Sequence, residues 1–255
     1  MYTPEKLKFY LDQLAERYEC PAFIEKDPIQ IPHRFRRKED IEIAAFLTAT
    51  IAWGQRANTI KSASRLMELL DHSPHDFLLN ATANDWRKFH DFNYRTFQNI
   101  DCIYFLKALK TIYQSGNSLE DIFTAGYKQR SSIADAIIYF RNWFLSFNPP
   151  LRTIKHIADV GKNATAKRLN MFLRWMVRSN DKGVDFGIWK NIPSSALIIP
   201  MDVHVSASAR KLGLVNRKSI DWKAAEEVTH HLRQFDPMDP VKYDFALFGM
   251  STNPQ

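Results

Sequence analysis

Residues 198–205 read Ile198-Ile199-Pro200-Met201-Asp202-Val203-His204-Val205, an apolar run that stops at a proline and passes into a helical pattern. This layout predicts a helix that begins beside Asp202, because Asp is a preferred N-cap residue whose oxygens accept hydrogen bonds from free backbone N–H groups. A carboxylate at a helix N-terminus can also be held ionised and directed at a substrate. Asp202 is therefore a candidate for both a capping role and a chemical role.

A second helical pattern lies upstream, at residues 164–178, where Leu169, Phe172, Leu173 and Met176 form one apolar stripe. Lys167 lies in the first turn of that predicted helix, where the helix dipole disfavours a charged ammonium group. A lysine that is less readily charged can act as a nucleophile and form a Schiff base. The alternative is a solvated surface lysine that contacts phosphate or nothing.

The rest of the chain is helical in pattern almost throughout, which predicts an all-α fold. Thr3 and Pro4 indicate a helix start, as N-cap and first helical residue. A nearly continuous apolar stretch at 40–51 predicts a buried central helix. Further helices are predicted at 59–70, 100–113, 118–123 and 133–147, and from Val203, Trp222 and Val241, with an irregular connection over 181–200.

Composition narrows the classes of protein that the chain can belong to. No apolar run reaches the ~18 residues of a membrane span, and the first residues lack the apolar core of a signal peptide, so a cytoplasmic protein is expected. Cys20 and Cys102 stand apart with no Cys-x-x-Cys motif, so neither a metal nor a metal cluster is predicted. The formal net charge of +7 favours a polyanionic partner, although many basic proteins bind no nucleic acid.

A third candidate site lies at residues 53–58, between the predicted buried helix and the amphipathic helix that follows it. Trp53, Gln55, Arg56 and Asn58 are candidate nucleic-acid contacts. Gln or Asn can fill the space that a flipped base leaves, and Trp or Arg can stack on bases. The alternative is an ordinary turn between two helices, with Gly54 as the C-cap residue.

The segment around Asp202 resembles the catalytic-aspartate segment of the helix-hairpin-helix DNA glycosylases, through Pro200-x-Asp202-x-His204-Val205 and the later Leu212-Gly213-Leu214. Residues 163–178 lie where that superfamily carries its lysine-bearing helix. One glycine, Gly161, stands before Lys167 where the superfamily has Gly-x-Gly, and Ala207 stands where it has an arginine. A closer resemblance, over nearly the whole chain, is to a bacterial family of unassigned function, through residues 167–178 and 241–249.

The glycosylase resemblance implies a single all-α domain, 1–255, with two intimate lobes at about 40–150 and at 1–39 plus 151–255. It implies damaged or distorted DNA as the partner and base excision, for example of oxidised purines, as the activity. Lys167 would be the nucleophile and Asp202 its electrostatic and acid–base partner, while Arg168 and His204 would contact DNA. No cofactor is implied. A catalytically silent nucleic-acid-binding module and an enzyme acting on free nucleosides or RNA remain alternatives, and the oligomeric state is open.

Overall fold

The computed structural model describes residues 3–252, and the regular elements in that range are helices, with one isolated β-bridge between Tyr94 and Phe97. The predicted all-α fold class is confirmed. None of the helices in residues 3–252 is long and apolar enough to cross a membrane. Contacts between residues divide the chain into two compact units.

Twelve α-helices, numbered in chain order, make up most of the described structure. They are α1 (Pro4–Tyr18), α2 (Pro21–Ile24), α3 (Lys38–Thr50), α4 (Arg56–Leu69), α5 (Pro74–Asn80), α6 (Asn99–Gln114), α7 (Leu119–Arg130), α8 (Ile133–Phe144), α9 (Lys167–Val177), α10 (Val203–Lys211), α11 (Trp222–Phe235) and α12 (Tyr243–Thr252). Short 3-10 helices connect them at Pro28–Gln30, Pro32–Arg34, Asp85–Phe89, Leu151–His156, Val160–Lys162, Ser194–Ala196 and Pro240–Lys242.

The middle unit runs from Lys26 to Ala158 and is built around α3. Residues 41–50 of this helix are all buried, as the continuous apolar pattern predicts. The ring of Phe46 contacts those of Phe105, Phe140 and Phe144, with centroids 5.4–5.9 Å apart. The core of this unit is therefore largely aromatic.

The first residues of the middle unit pack on its central helices. The turns Pro28–Gln30 and Pro32–Arg34 contact α3, and the first also contacts α4. Ile29 and Ile31 are consequently fully buried. Residues 26–39 thus group with α3–α8, whereas the glycosylase resemblance implies that they group with the C-terminal part of the chain.

The other unit combines the chain up to Glu25 with the chain from Asp159 onward. Its first helix begins as predicted, because Thr3 caps α1 through a hydrogen bond from the Lys6 N–H and Pro4 is the first helical residue. Helix α12 packs against both α1 and α10. The four residues of the predicted stripe on α9, Leu169, Phe172, Leu173 and Met176, are all buried.

Helix α7 continues to Arg130, well past residue 123, where the sequence predicts its end. Gly126 lies in its interior at the place where α8 approaches. A Cβ atom on Gly126 would lie 2.5 Å from Tyr139 Cβ and 2.8 Å from Ala136 Cα. Glycine is therefore used here for close helix packing, and it does not end the helix.

Gly126→Ala is expected to lower the free energy of unfolding by about 1–3 kcal/mol, because the added methyl group meets backbone atoms of α8 that cannot move aside. The loss should exceed the roughly 1 kcal/mol that alanine contributes to helix stability over glycine. Urea denaturation measures the change, and the larger Gly126→Ser should cost more. An alanine variant more stable than wild type would contradict this account of the packing.

Candidate active site

The start of α9 places Lys167 at the first helical position. The preceding residue, Ala166, is left-handed, with φ 50° and ψ 30°, and provides no side-chain cap. This conformation normally favours glycine, because the Cβ of any other residue crowds the following carbonyl oxygen. The chain therefore makes its turn into α9 with alanine, in the segment where the resembling hairpins carry glycine.

The start of α10 is capped by Asp202, as the sequence predicts. Its Oδ1 atom accepts hydrogen bonds from the backbone N–H groups of His204, at 2.9 Å, and Val205, at 3.0 Å. The residues before it are deeply buried, with Ile199 and Met201 both at 0% exposure. The capping hydrogen bonds and the buried residues before Asp202 hold its carboxylate in one orientation. The capping hydrogen bonds both go to Oδ1, and Oδ2 accepts neither of them.

The second oxygen of Asp202 faces Lys167. Lys167 Nζ lies 3.8 Å from Asp202 Oδ2, and the two side chains are 27% and 25% exposed. An ion pair that is this long and this accessible contributes only about 0–1 kcal/mol to stability. The fold gains little from the pair, yet both groups remain within reach of a ligand.

An amine beside a fixed carboxylate is suited to one kind of chemistry. The amine, once it has lost its proton, can add to an electrophilic carbon and form a covalent intermediate. The carboxylate can exchange protons with neighbouring groups and stabilise positive charge that develops on a substrate. Lys167 Nζ also lies 3.8 Å from the sulfur of Met171, one turn further along α9.

A third carboxyl group, that of Asp244 on α12, interacts electrostatically with both members of this pair. It is buried, with 7% exposure, and Arg174 Nη1 donates a hydrogen bond to its Oδ2 atom. Burial raises the pKa of Asp244 to about 6, and the negative charge of Asp202 adds to that effect. The positive charges of Arg174 and Lys167 oppose it without cancelling it.

Arg174 lies two helical turns after Lys167 on the same face of α9, and Arg178 follows at the C-cap. Both arginines are buried. Arg174 Nε lies 3.3 Å from Asp185 Oδ1, and Arg178 Nη1 lies 2.7 Å from Asp185 Oδ2. Arg178 also pairs with Glu19, at 2.6 Å, and with Asp239, at 2.8 Å. We call Glu19, Arg174, Arg178, Asp185, Asp239 and Asp244 the buried ionic cluster, in which Asp239 alone is partly exposed.

The two further candidate residues of this unit have different surroundings. Arg168 is half-buried, and the burial of its guanidinium lowers its pKa to about 10. His204 is exposed, and its ring lies 6.2 Å from that of Phe248, with Nδ1 2.9 Å from Ser251 Oγ. Of the two predicted DNA contacts, His204 is the more accessible to a large ligand.

The segment 53–58 belongs to the middle unit, where Gln55 and Asn58 are exposed and Trp53 and Arg56 are half-buried. The Trp53 ring contacts those of Tyr94 and His156, at 5.2 Å and 6.2 Å, and its carbonyl oxygen accepts a hydrogen bond from the Tyr94 hydroxyl. The segment is thus a short turn after a fixed tryptophan that enters the first turn of α4 at Arg56, and it exposes two amide side chains.

Gly54 is not the C-cap of α3, which the ordinary-turn alternative expects. The helix ends at Thr50 with Ile51 as its C-cap, three residues earlier. Gly54 does have positive φ, 92°, and the guanidinium of Arg95 occupies the space that a Cβ atom would need, with Nη1 at 2.1 Å. Glycine at position 54 leaves room for the guanidinium of Arg95, and it does not end the helix.

The sequence interpretation missed Arg174, Asp185 and Asp244. The sequence contains one feature that indicates Arg174 and another that indicates Asp244. Arg174 follows Lys167 by two helical turns and so shares its face. Asp244 is a lone carboxyl group within the apolar run 243–248, and such a charge is nearly always paired when it is buried.

Within residues 3–252, no three His, Cys, Asp or Glu side chains are grouped so that they could hold a metal ion.

A family model described as a protein of unknown function, DUF2400, matches residues 27–253. The chain belongs to the DUF2400 family. No curated protein and no solved structure matches the chain. The residues matched to DUF2400 include Lys167, Asp202 and Asp244 as well as the segment 53–58.

Proposed function

We propose that this DUF2400 protein is a base-excision DNA glycosylase related to the helix-hairpin-helix superfamily, with Lys167 as nucleophile and Asp202 as its acid–base and electrostatic partner. One observation carries the proposal. The amine of Lys167 and the free oxygen of Asp202 are 3.8 Å apart, accessible, and fixed at the starts of two helices. The sequence resemblance assigns catalytic roles to these same two residues.

In the proposed reaction, Lys167 gives up a proton and its amine attacks C1′ of a flipped nucleotide. The bond from C1′ to the base breaks, and the base leaves with the bonding electrons and takes up a proton. Positive charge develops on the sugar as the base leaves. The negative charge of Asp202, which faces the sugar, stabilises it and lowers the barrier to base release. The bond from C1′ to the ring oxygen O4′ then breaks, O4′ takes up a proton and the nitrogen forms a protonated imine with C1′, from which the DNA strand can be cleaved.

The charge of the chain supports a nucleic-acid partner, since a net charge of +7 attracts phosphate. In the same proposal, Gln55 and Asn58 would fill the space left by the flipped base and Trp53 and Arg56 would contact the strand. The proposed partner is damaged or distorted DNA, and the proposed compartment is the cytoplasm. The proposal requires no metal ion or cofactor.

Borohydride trapping on a panel of lesion-bearing duplexes tests the proposal. The reagent reduces an imine to a stable amine, so an enzyme that forms a Schiff base becomes covalently attached to DNA. An adduct with one or more lesions, accompanied by base release, is the expected result. Binding without an adduct or base release would indicate the silent binding module, and activity confined to RNA or free nucleosides would indicate the other alternative.

Asp202→Asn is expected to slow single-turnover base release by about 10²–10³-fold, because the variant lacks the charge that faces the transition state. Asn still offers an oxygen to the N–H groups of His204 and Val205, so the cap and the melting temperature should change little. Asp221→Asn is the matched control, because Asp221 caps α11 in the same way. Equal rates for Asp202→Asn and Asp221→Asn, with both variants folded, would remove Asp202 from the chemistry.

A further inference from the structure

We propose that two further segments of the middle unit bind the backbone of duplex DNA beside the segment 53–58. They are the turn at 94–97, which binds through Arg95, and the 3-10 helix Leu151–His156, which binds through Lys155. The proposal rests on the proposed function for DNA as the partner, and it adds residues to which the sequence motifs give no role. Its test measures binding alone, so its outcome does not depend on base excision.

The turn that carries Arg95 is fastened to the segment 53–58. The Tyr94 hydroxyl donates a hydrogen bond to the carbonyl oxygen of Trp53, at 2.5 Å. Tyr94 and Phe97 exchange two backbone hydrogen bonds of 2.8 Å, which close a tight turn with Arg95 inside it. Arg95 is exposed and has positive φ, 54°, a conformation that a residue with a side chain keeps only where its surroundings hold it. The turn therefore presents this arginine to solvent at a fixed point.

The 3-10 helix Leu151–His156 is fastened to the same turn. Arg152 Nη2 donates a hydrogen bond to the carbonyl oxygen of Thr96, at 2.9 Å. At the other end of the helix, the ring of His156 lies 5.0 Å from that of Phe97. Side-chain contacts thus join the helix, the turn and the segment 53–58 into one surface.

The three segments carry positive charge and no acidic side chain. Arg95 and Lys155 are exposed, while two other arginines are half-buried. Residues 53–58, 94–97 and 151–156 contain no Asp or Glu, and their cations are Arg56, Arg95, Arg152 and Lys155. A phosphate that approaches this surface therefore meets cations and no carboxylate from these segments.

The charge of Arg152 is neutralised within the fold, which gives this residue a different role from Arg95 and Lys155. Its Nη2 atom lies 3.1 Å from Oδ2 of Asp101, which is fully buried. The hydroxyl of Thr153 also donates to Asp101, at 2.7 Å. Arg152 therefore fastens the helix. Lys155 follows it by one 3-10 turn, shares its face and is exposed, so it remains available to a ligand.

An apolar side chain lies next to these cations. Leu151, which precedes Arg152, is 88% exposed, more than any other large hydrophobic side chain in residues 3–252. Proteins that bind nucleic acids combine cations, which contact phosphates, with apolar side chains that contact or enter the base stack. Leu151 therefore contributes an apolar contact to the same surface.

The combination of groups favours DNA over an acidic protein as the partner. Contacts to phosphates position a protein on a duplex, and contacts to base edges supply specificity. Arg95 and Lys155 provide contacts of the first kind, and the exposed amides of Gln55 and Asn58 can hydrogen-bond to bases. The carboxylates of an acidic protein would be bound chiefly by the cations.

Fluorescence anisotropy with a short, labelled, lesion-free duplex tests the proposal on the full chain at several salt concentrations. Arg95→Gln and Lys155→Gln are each expected to lower the slope of log K against log salt by about 0.9 and to weaken binding on the order of tenfold near ~0.1 M salt. Leu151→Ser should weaken binding severalfold and leave the slope unchanged, because it removes no charge. Lys128→Gln, which changes an exposed lysine in the last turn of α7, is the control and should match the wild type.

An unchanged affinity and slope in folded Arg95→Gln and Lys155→Gln would overturn the proposal, and so would an equal loss in Lys128→Gln. If Arg95→Gln unfolds the turn, Lys155→Gln decides the matter alone. Polyglutamate that displaces the duplex as effectively as unlabelled DNA of equal charge would indicate an acidic protein partner and would also overturn the proposal.

The same experiment separates this surface from the proposed chemistry. A wild type that binds no duplex at any salt concentration would overturn both the surface and the glycosylase. The expected changes of slope in a protein that traps no imine and releases no base would support the surface and reject the glycosylase alone.

Discussion

Lys167→Gln is expected to abolish the borohydride-dependent adduct with lesion DNA, with no band above background. Glutamine keeps much of the length and polarity of lysine, but its amide nitrogen is not nucleophilic and cannot form an imine. The pair that the substitution breaks is long and a quarter exposed, so its loss should change the free energy of unfolding by less than about 1 kcal/mol. Gel analysis of trapped complexes and thermal unfolding together measure the two effects.

Lys162→Gln is the matched control for this experiment. Lys162 is an exposed lysine five positions earlier, in the 3-10 helix Val160–Lys162, so the substitution makes the same change of charge in the same segment. The control should retain the adduct. If Lys167→Gln still forms the adduct, another amine is the nucleophile and the proposed role of Lys167 is wrong.

Arg178→Met is expected to lower the free energy of unfolding by about 3–5 kcal/mol, the cost of leaving buried charges without their partner. Arg178 pairs with Glu19, Asp185 and Asp239, and together these carboxylates hold the pKa of its guanidinium well above the ordinary value. Methionine fills much of the same volume, so the loss reports the charge and not a cavity. Urea denaturation followed by circular dichroism measures it.

Lys182→Met gives a matched control, because Lys182 joins the segment after α9 to an acidic residue of α1, much as Arg178 pairs with Glu19, the C-cap of that helix. Its partner is Glu16, at 2.5 Å, and the two side chains are 44% and 70% exposed. An exposed pair contributes about 0–1 kcal/mol. Equal losses for Arg178→Met and Lys182→Met would show that burial of the ionic cluster has no bearing on stability.

Several helices could be predicted from the sequence because their N-caps and apolar patterns are local features. Thr3 and Asp202 have the side chains that N-caps need, and both are caps in the structure. The stretch at 40–51 is almost continuously apolar and the stripe on α9 follows the helical period, and residues 41–51 and the stripe are buried. These features depend on residues within a few positions of each other, so the sequence alone contains the information.

Features that join distant residues could not be predicted in the same way. Arg174 and Asp244 are separated by 70 positions, and no local pattern pairs them. The end of α7 was predicted at residue 123, whereas the helix continues to Arg130, past Gly126, where it packs closely on α8. Val241 was expected to start the last helix, yet it lies in a 3-10 turn and α12 begins at Tyr243.

The pairing of Glu19 with Arg178 has a consequence for the order in which the molecule assembles on the ribosome. The two residues are 159 positions apart, and α1 also packs against α12. Helix α1 is thus synthesised before α9 and α12 and cannot make these contacts until both have emerged. The segment from Lys26 to Ala158 is continuous, so every contact within it becomes available in the meantime.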